Sequence, residues 1–158
     1  MTNLITAEGR AKLQDEYDFL WEKERPKVVR EVSDAAAEGD RSENASYIYG
    51  RKRLREIDGR LKHLGNRLTA LKIGTTPVRP TTVGFGCWVT YEDEDGKESC
   101  YRLVGPDEFD VSKGLISIDS PVGQALLGKK VDDEAMIKRP VGNLNVVITD
   151  IRSNKPAV

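Results

Sequence analysis

Residues 45–71 read ASYIYGRKRLREIDGRLKHLGNRLTAL and contain the clearest periodic signal in the chain. Apolar residues recur there in steps of mostly three and four, which is typical of a helix that packs along one stripe against a second helix. The stripe consists of Tyr47, Leu54, Ile57, Leu61, Leu64, Leu68 and Leu71, with Gly50 in an early position. This stretch therefore predicts one arm of a coiled coil.

The segment before it predicts the other arm. Thr6 can cap a helix that begins with Ala7 and Glu8, and the helical pattern continues to about Glu38. Its apolar stripe consists of Leu13, Tyr17, either Leu20 or Trp21, Val28, Val32 and Ala35. Pro26 lies inside this helix and is expected to bend it.

Only Gly39-Asp40-Arg41-Ser42-Glu43 separates the two helical patterns. A connection this short favours antiparallel neighbours, so residues 1–75 are predicted to form a helical hairpin with its tip at about 39–44. The seam can be satisfied within one hairpin, which favours a monomer over a swapped dimer.

The stretch from 76 to 82 has the Pro and Thr content of a linker, and a small α+β domain is predicted over 83–158. Alternating residues around an Asp95-Gly96 turn indicate a β-hairpin, and Asp119-Ser120-Pro121 indicates the capped start of a short helix ending at Gly128. The predicted strands are 87–91, 99–104, 115–118, 134–138 and 145–151.

The composition excludes several classes of protein. The chain has 158 residues, 38% of them hydrophobic and 32% charged, which suits a soluble protein without a large enclosed active site. Cys87 and Cys100 are too few for a disulfide framework, and no window resembles a membrane span or a signal peptide. We therefore expect a cytoplasmic protein with no membrane contact.

Charge is distributed in blocks. Residues 1–44 contain 7 Lys/Arg and 11 Asp/Glu, whereas residues 45–72 contain 8 Lys/Arg and 2 Asp/Glu. The basic run includes Arg51, Lys52, Arg53, Arg55, Arg60, Lys62, Arg67 and Lys72. It could follow a nucleic-acid backbone, or it could pair with acidic residues of the first helix.

The tip is acidic. Asp40 and Glu43 are three residues apart, and two such carboxylates can hold Mg²⁺ weakly, so further ligands would have to come from elsewhere. The same spacing also suits a capping box for the second helix, and both roles can coexist. No phosphate loop or activated nucleophile accompanies them, and the single histidine, His63, is expected on the surface.

Three motifs carry a resemblance to a known family. The chain resembles the Gre transcript-cleavage factors of bacteria at Ile5-Thr6-Ala7-Glu8-Gly9, at the tip stretch Gly39–Ala45 with Tyr47, and at Ile116–Pro121 continuing to Lys129. The resemblance covers nearly the whole chain. Leu20-Trp21, Glu24-Arg25-Pro26 and Lys52–Asp58 are similar to the GreB branch.

The resemblance implies a coiled-coil hairpin followed by an FKBP-like domain without isomerase activity. It implies that Asp119, Ser120 and Pro121 dock on RNA polymerase while the hairpin enters the secondary channel. Asp40 and Glu43 would then help polymerase retain Mg²⁺, so that polymerase itself, and not this chain, cleaves backtracked nascent RNA near its 3′ end. Arg51, Lys52, Arg53, Arg55 and Arg60 would hold that RNA.

One departure from the family pattern leaves an alternative open. Ser46 stands where relatives commonly have an acidic residue, which supports a second hypothesis, a non-cleaving channel binder that inhibits or regulates polymerase. Asp132-Asp133 in place of the usual Gly-Asp, and Gly50 and Gly59 in place of larger residues, are expected to affect local packing or RNA grip and not the class of function. A third hypothesis is a hairpin that binds RNA on its own, in a salt-sensitive manner.

Overall fold

A computed structural model of the chain describes residues 2–39 and 43–156. Of these, residues 10–71 form one compact unit, the hairpin unit, and residues 2–9 together with 72–156 form the other, the sheet unit. The predicted α+β class is confirmed, with an N-terminal helical hairpin and a C-terminal β-sheet domain. The predicted division into 1–75, 76–82 and 83–158 differs from this one, because residues 2–9 and 72–82 group with the sheet unit.

The hairpin unit is built from three α-helices. Helix α1 spans Ala7–Phe19, a π-helical turn spans Leu20–Glu24, α2 spans Arg25–Ala36 and α3 spans Ala45–Ala70. Early in α3, Gly50 lies beside Val32, and late in α3, Gly65 lies beside Tyr17. The order of these contacts is reversed between the two arms, so the arms are antiparallel. A Cβ at Gly50 would lie 2.7 Å from Val32 Cγ2, which explains the glycine in the seam.

The π-helical turn accounts for the uneven spacing of the apolar stripe in the first arm. Its buried residues, Leu13, Leu20, Val28 and Ala35, are separated by seven, eight and seven positions. The Arg25 N–H donates to the Leu20 carbonyl, a five-residue step that takes up the extra residue. Leu20 is therefore the buried member of the predicted Leu20 or Trp21 choice, and the Trp21 side chain is 55% exposed. Pro26 lies in the first turn of α2, immediately after the irregularity.

The seam of α3 is confirmed at its centre. Ile57, Leu61, Leu64 and the following Leu71 are buried, and Tyr47, Leu54 and Leu68 are half-buried.

None of the helices within residues 2–39 and 43–156 combines the length and the apolar content that crossing a membrane requires.

The strands of the sheet unit are β1 Leu4–Ile5, β2 Lys72–Ile73, β3 Trp88–Asp93, β4 Glu98–Val104, β5 Leu115–Ser117, β6 Glu134–Ile137 and β7 Leu144–Arg152. Five of them form one sheet in the order β5-β4-β3-β7-β6, in which β4 and β5 are parallel and the other pairs antiparallel. A separate short parallel pair joins β1 to β2. Strands β3 to β7 agree with the predicted strands to within two residues at each end, whereas β1 and β2 are not among the predicted strands.

One face of the sheet forms the core. Val89, Leu103, Ile137 and Ile148 are almost completely buried there with Leu126 of helix α4, which spans Pro121–Leu126. Turns around the sheet use positive φ angles. Asp132 has φ +73°, so an aspartate occupies a position whose backbone favours glycine.

The N-terminal segment is anchored by Glu108. This carboxylate accepts from Thr6 N at 2.7 Å, from Gly105 N at 3.0 Å and from the Thr6 hydroxyl, which itself accepts from Gly9 N at 3.0 Å. A Cβ at Gly105 would collide with the Leu4 carbonyl oxygen, so the segment and this loop are closely packed. These bonds explain why residues 2–9 belong to the sheet unit.

Replacing Glu108 with alanine is expected to destabilise the sheet unit by about 1–3 kcal/mol, because the buried amides of Thr6 and Gly105 lose their acceptor. Urea unfolding measures the loss. The matched control is Glu98→Ala, which removes an exposed carboxylate and is expected to leave the midpoint close to that of the wild type. Equal midpoints for the two variants would contradict the anchoring role.

Candidate functional site

Of the two acidic residues predicted at the tip, Glu43 lies within the described residues. Glu43 is exposed and lies in the turn that leads directly into α3. Asp40, its predicted partner, lies outside the described residues.

The predicted capping box is wrong as to the residue that caps α3. The N-cap is Asn44, whose Oδ1 accepts from Tyr47 N at 3.1 Å. Helix α3 begins at Ala45, so the residue directly before it, Asn44, holds the cap position. The amide of Tyr47 is therefore satisfied by Asn44 and not by Glu43.

A second polar group extends from the cap along α3. Arg51 Nη1 donates to Tyr47 Oη at 2.8 Å, and the Arg51 guanidinium lies 5.7 Å from the centre of the Tyr47 ring. These contacts hold the Arg51 charge about two turns beyond the tip.

The structure divides the predicted RNA-binding residues into two groups. Arg60 forms two hydrogen bonds to the Glu16 carboxylate, at 2.5 and 2.8 Å, and Arg53 Nη2 lies 3.6 Å from Glu24. Both arginines lie beside the seam and pair with acidic residues of the other arm. Lys52 and Arg55 are exposed on the side of α3 opposite the buried Ile57, and no ion pair to another described residue is found for them.

The pairing of Arg60 with Glu16 has an electrostatic consequence. The hydrogen bond from Arg60 is the largest effect on the pKa of Glu16 and lowers it. Burial opposes this effect, and the positive charge of Arg60 adds to the lowering. Arg25 similarly donates to Asp58 at 2.8 Å and lies 5.9 Å from the centre of the Trp21 ring. For Arg53 and Arg60, the alternative of pairing within the hairpin is therefore observed.

The predicted docking residues form the start of α4. Asp119 and Pro121 are exposed, while Ser120 is half-buried and caps the helix by accepting from Gly123 N at 3.0 Å. Thr2 donates to both carboxylate oxygens of Asp119, from its backbone N at 2.9 Å and from its hydroxyl at 2.7 Å. These bonds lower the pKa of Asp119, the backbone one most, so its carboxylate is held ionised.

The described part of the chain holds no complete set of metal ligands. Among residues 2–39 and 43–156 there is no group of three or more His, Cys, Asp or Glu side chains that could hold a metal ion. Glu43 offers exposed carboxylate oxygens, the ligand type that Mg²⁺ prefers. Such a donor fits a shared magnesium site, in which most ligands come from another molecule.

Two residues at these sites are not among the predicted site residues. Asn44 does carry a sequence signal, because an asparagine three residues before Tyr47 at the start of a helical pattern is typical of a helix cap. Thr2 gave no signal, because its contact with Asp119 joins residues 117 positions apart.

Comparisons with known proteins cover both units. Residues 3–73 match the model of the transcription elongation factor N-terminal domain, and residues 78–153 match the GreA/GreB C-terminal domain model. The transcription elongation factor GreB of Pseudomonas aeruginosa is 55% identical over 142 residues, which are 89% of this chain and 84% of that protein. GreB of Yersinia pestis is 53% identical over 152 residues, 96% of this chain and 89% of that protein. The chain therefore belongs to the GreA/GreB family of transcription elongation factors and resembles its GreB members.

Proposed function

We propose that this chain enters the secondary channel of RNA polymerase and stimulates the polymerase's own magnesium-dependent cleavage of backtracked nascent RNA, which rescues arrested complexes. The observation that carries the proposal is Glu43, an exposed carboxylate in the turn that leads into the second arm of an antiparallel hairpin. Family membership supplies polymerase as the partner.

The chain's own part in the reaction is to bring negative charge to a place where polymerase is short of metal ligands. Glu43, together with Asp40, would supply oxygen ligands and accept a hydrogen bond from the attacking water. Bound Mg²⁺ would supply Lewis-acid stabilisation of the charge that develops on phosphate oxygens. On this proposal the chain is not an enzyme alone, because the remaining ligands belong to polymerase.

Docking on polymerase is assigned to Asp119, Ser120 and Pro121. The Asp119 carboxylate and the Pro121 ring are exposed next to each other, and the helix cap of Ser120 fixes the backbone between them. An ionised carboxylate of this kind suits a basic partner surface on the rim of the channel.

RNA contact is assigned first to Arg51, Lys52 and Arg55. These residues carry charge that is not neutralised by a described acidic residue, whereas Arg53 and Arg60 would have to exchange an ion pair for a phosphate. The RNA bound is the extruded 3′ segment of the nascent transcript.

Replacement of Arg55 by alanine is expected to weaken RNA contact at every sequence and to reduce the slope of log affinity against log salt by about 1, because one phosphate contact is lost. Arg60→Ala is the matched variant on the same helix, and it should change the salt slope much less. Crosslinking of the factor to the 3′ RNA segment in a backtracked complex, measured across a salt series, tests both. Equal losses in slope would contradict the division of the basic residues.

The proposed function is tested by measuring RNA release from a purified, backtracked polymerase complex at fixed Mg²⁺, with and without the chain. Rapid release that depends on both the chain and Mg²⁺ is the expected result. Binding to the complex without release would overturn it.

A second candidate is a non-cleaving secondary-channel binder, and Ser46 favours it. This exposed residue lies in the first turn of α3, where an acidic side chain would add a charge near Glu43. An inhibitor should act equally well after Asp40 is replaced, whereas a cleavage factor should not.

A chain with polymerase as its partner is expected in the cytoplasm, as a monomer whose seam is filled within the hairpin.

A further inference from the structure

Asn44 makes two hydrogen bonds that connect the arms of the hairpin at its tip. Its Oδ1 accepts from Tyr47 N at 3.1 Å and caps α3, while its Nδ2 donates to the Ala35 carbonyl oxygen at 2.7 Å. Ala35 lies in the last turn of α2 and its side chain is only 5% exposed. One amide side chain therefore satisfies a free donor of α3 and bonds to a carbonyl of α2 that also accepts from Glu38 N at 3.2 Å.

The position of Asn44 gives these bonds a functional consequence. It directly follows Glu43, and its extended backbone, with φ −84° and ψ 101°, sets the direction in which the chain enters α3. We infer that Asn44 is a positioning residue, whose amide bridge between Ala35 and Tyr47 holds the Glu43 carboxylate in the direction needed at the polymerase active site. This inference rests on the proposed function.

Without such a bridge, an exposed carboxylate at the end of a turn samples many directions. A metal-assisting group must be presented in one narrow geometry, and a displacement of about 1 Å can reduce a rate on the order of 100-fold. The cap alone orders the start of α3. The bond to Ala35 adds a second fixed point on the opposite arm, so that the peptide after Glu43 is held from both sides.

The two bonds can be separated by substitution. In Asn44→Asp and Asn44→Ser the side-chain oxygen can still cap α3, but an ionised carboxylate has no donor and a serine hydroxyl is too short to replace the amide on both partners. Helix content, melting temperature and affinity for polymerase are expected to stay close to those of the wild type. The RNA cleavage rate at saturating factor is expected to fall about 10-fold or more, with a higher Mg²⁺ requirement.

The control for the added charge is Asn66→Asp, an exposed asparagine far along the same helix, which should cleave as the wild type does. Asn44→Ala removes both bonds and should in addition lower the melting temperature. Wild-type cleavage rates in both Asn44→Asp and Asn44→Ser would overturn the inference, and so would a loss confined to polymerase affinity. If the wild-type chain itself does not stimulate cleavage, the proposed function fails first, so the two failures are distinguishable.

Discussion

Glu43→Ala is expected to lower the rate of RNA release from a backtracked complex at least about 10- to 100-fold, the range observed when residues supporting a metal are removed. The reason is that Glu43 supplies an exposed carboxylate directly before Asn44, the residue that caps α3. Glu43→Gln keeps the shape of the side chain and removes its charge, so it should show a similar loss. The rate is measured at saturating factor over a series of Mg²⁺ concentrations.

The same experiment contains its own control. Glu31→Ala removes an exposed carboxylate from α2, away from the tip, and should leave the rate unchanged. Glu43 variants must retain binding to polymerase, because the proposed docking residues lie in the sheet unit. Wild-type rates for Glu43→Ala at low Mg²⁺ would exclude a metal-assisting role for this residue, and Asp40 would then have to act alone.

The second large effect is expected on stability. Ile57→Ala should destabilise the hairpin unit by about 2–5 kcal/mol, because the Ile57 side chain is 1% exposed and its removal leaves a cavity in the seam. The free energy of unfolding is measured by urea denaturation followed through helical circular dichroism, which reports mainly on α1, α2 and α3.

Ile48→Ala is the matched control, since Ile48 lies on the same helix and is 52% exposed. Its expected cost is within about 0.5 kcal/mol, the usual range for surface substitutions. A similar cost for both variants would show that the seam is not where the hairpin's stability resides. Cleavage activity should decrease in Ile57→Ala only at temperatures where the hairpin begins to unfold.

The hairpin could be predicted because its information is local and periodic. The α3 stripe through Ile57, Leu61 and Leu64 specifies a buried face, and the short connection at the tip requires antiparallel arms. The choice between Leu20 and Trp21 could not be predicted from that period. It depended on a five-residue step before Pro26, and such an insertion has no distinct residue signature.

Some features of the candidate site could likewise be predicted from local sequence, and others could not. The sequence by itself determined the acidic tip, the basic run and the docking turn, because each is a continuous stretch of residues with its own local chemistry. Only the tertiary structure decided that Asn44 bridges to Ala35, that Arg60 is neutralised by Glu16, and that Asp119 is held by Thr2. These contacts join residues 9, 44 and 117 positions apart, and such pairings arise from packing between elements, which no local pattern encodes.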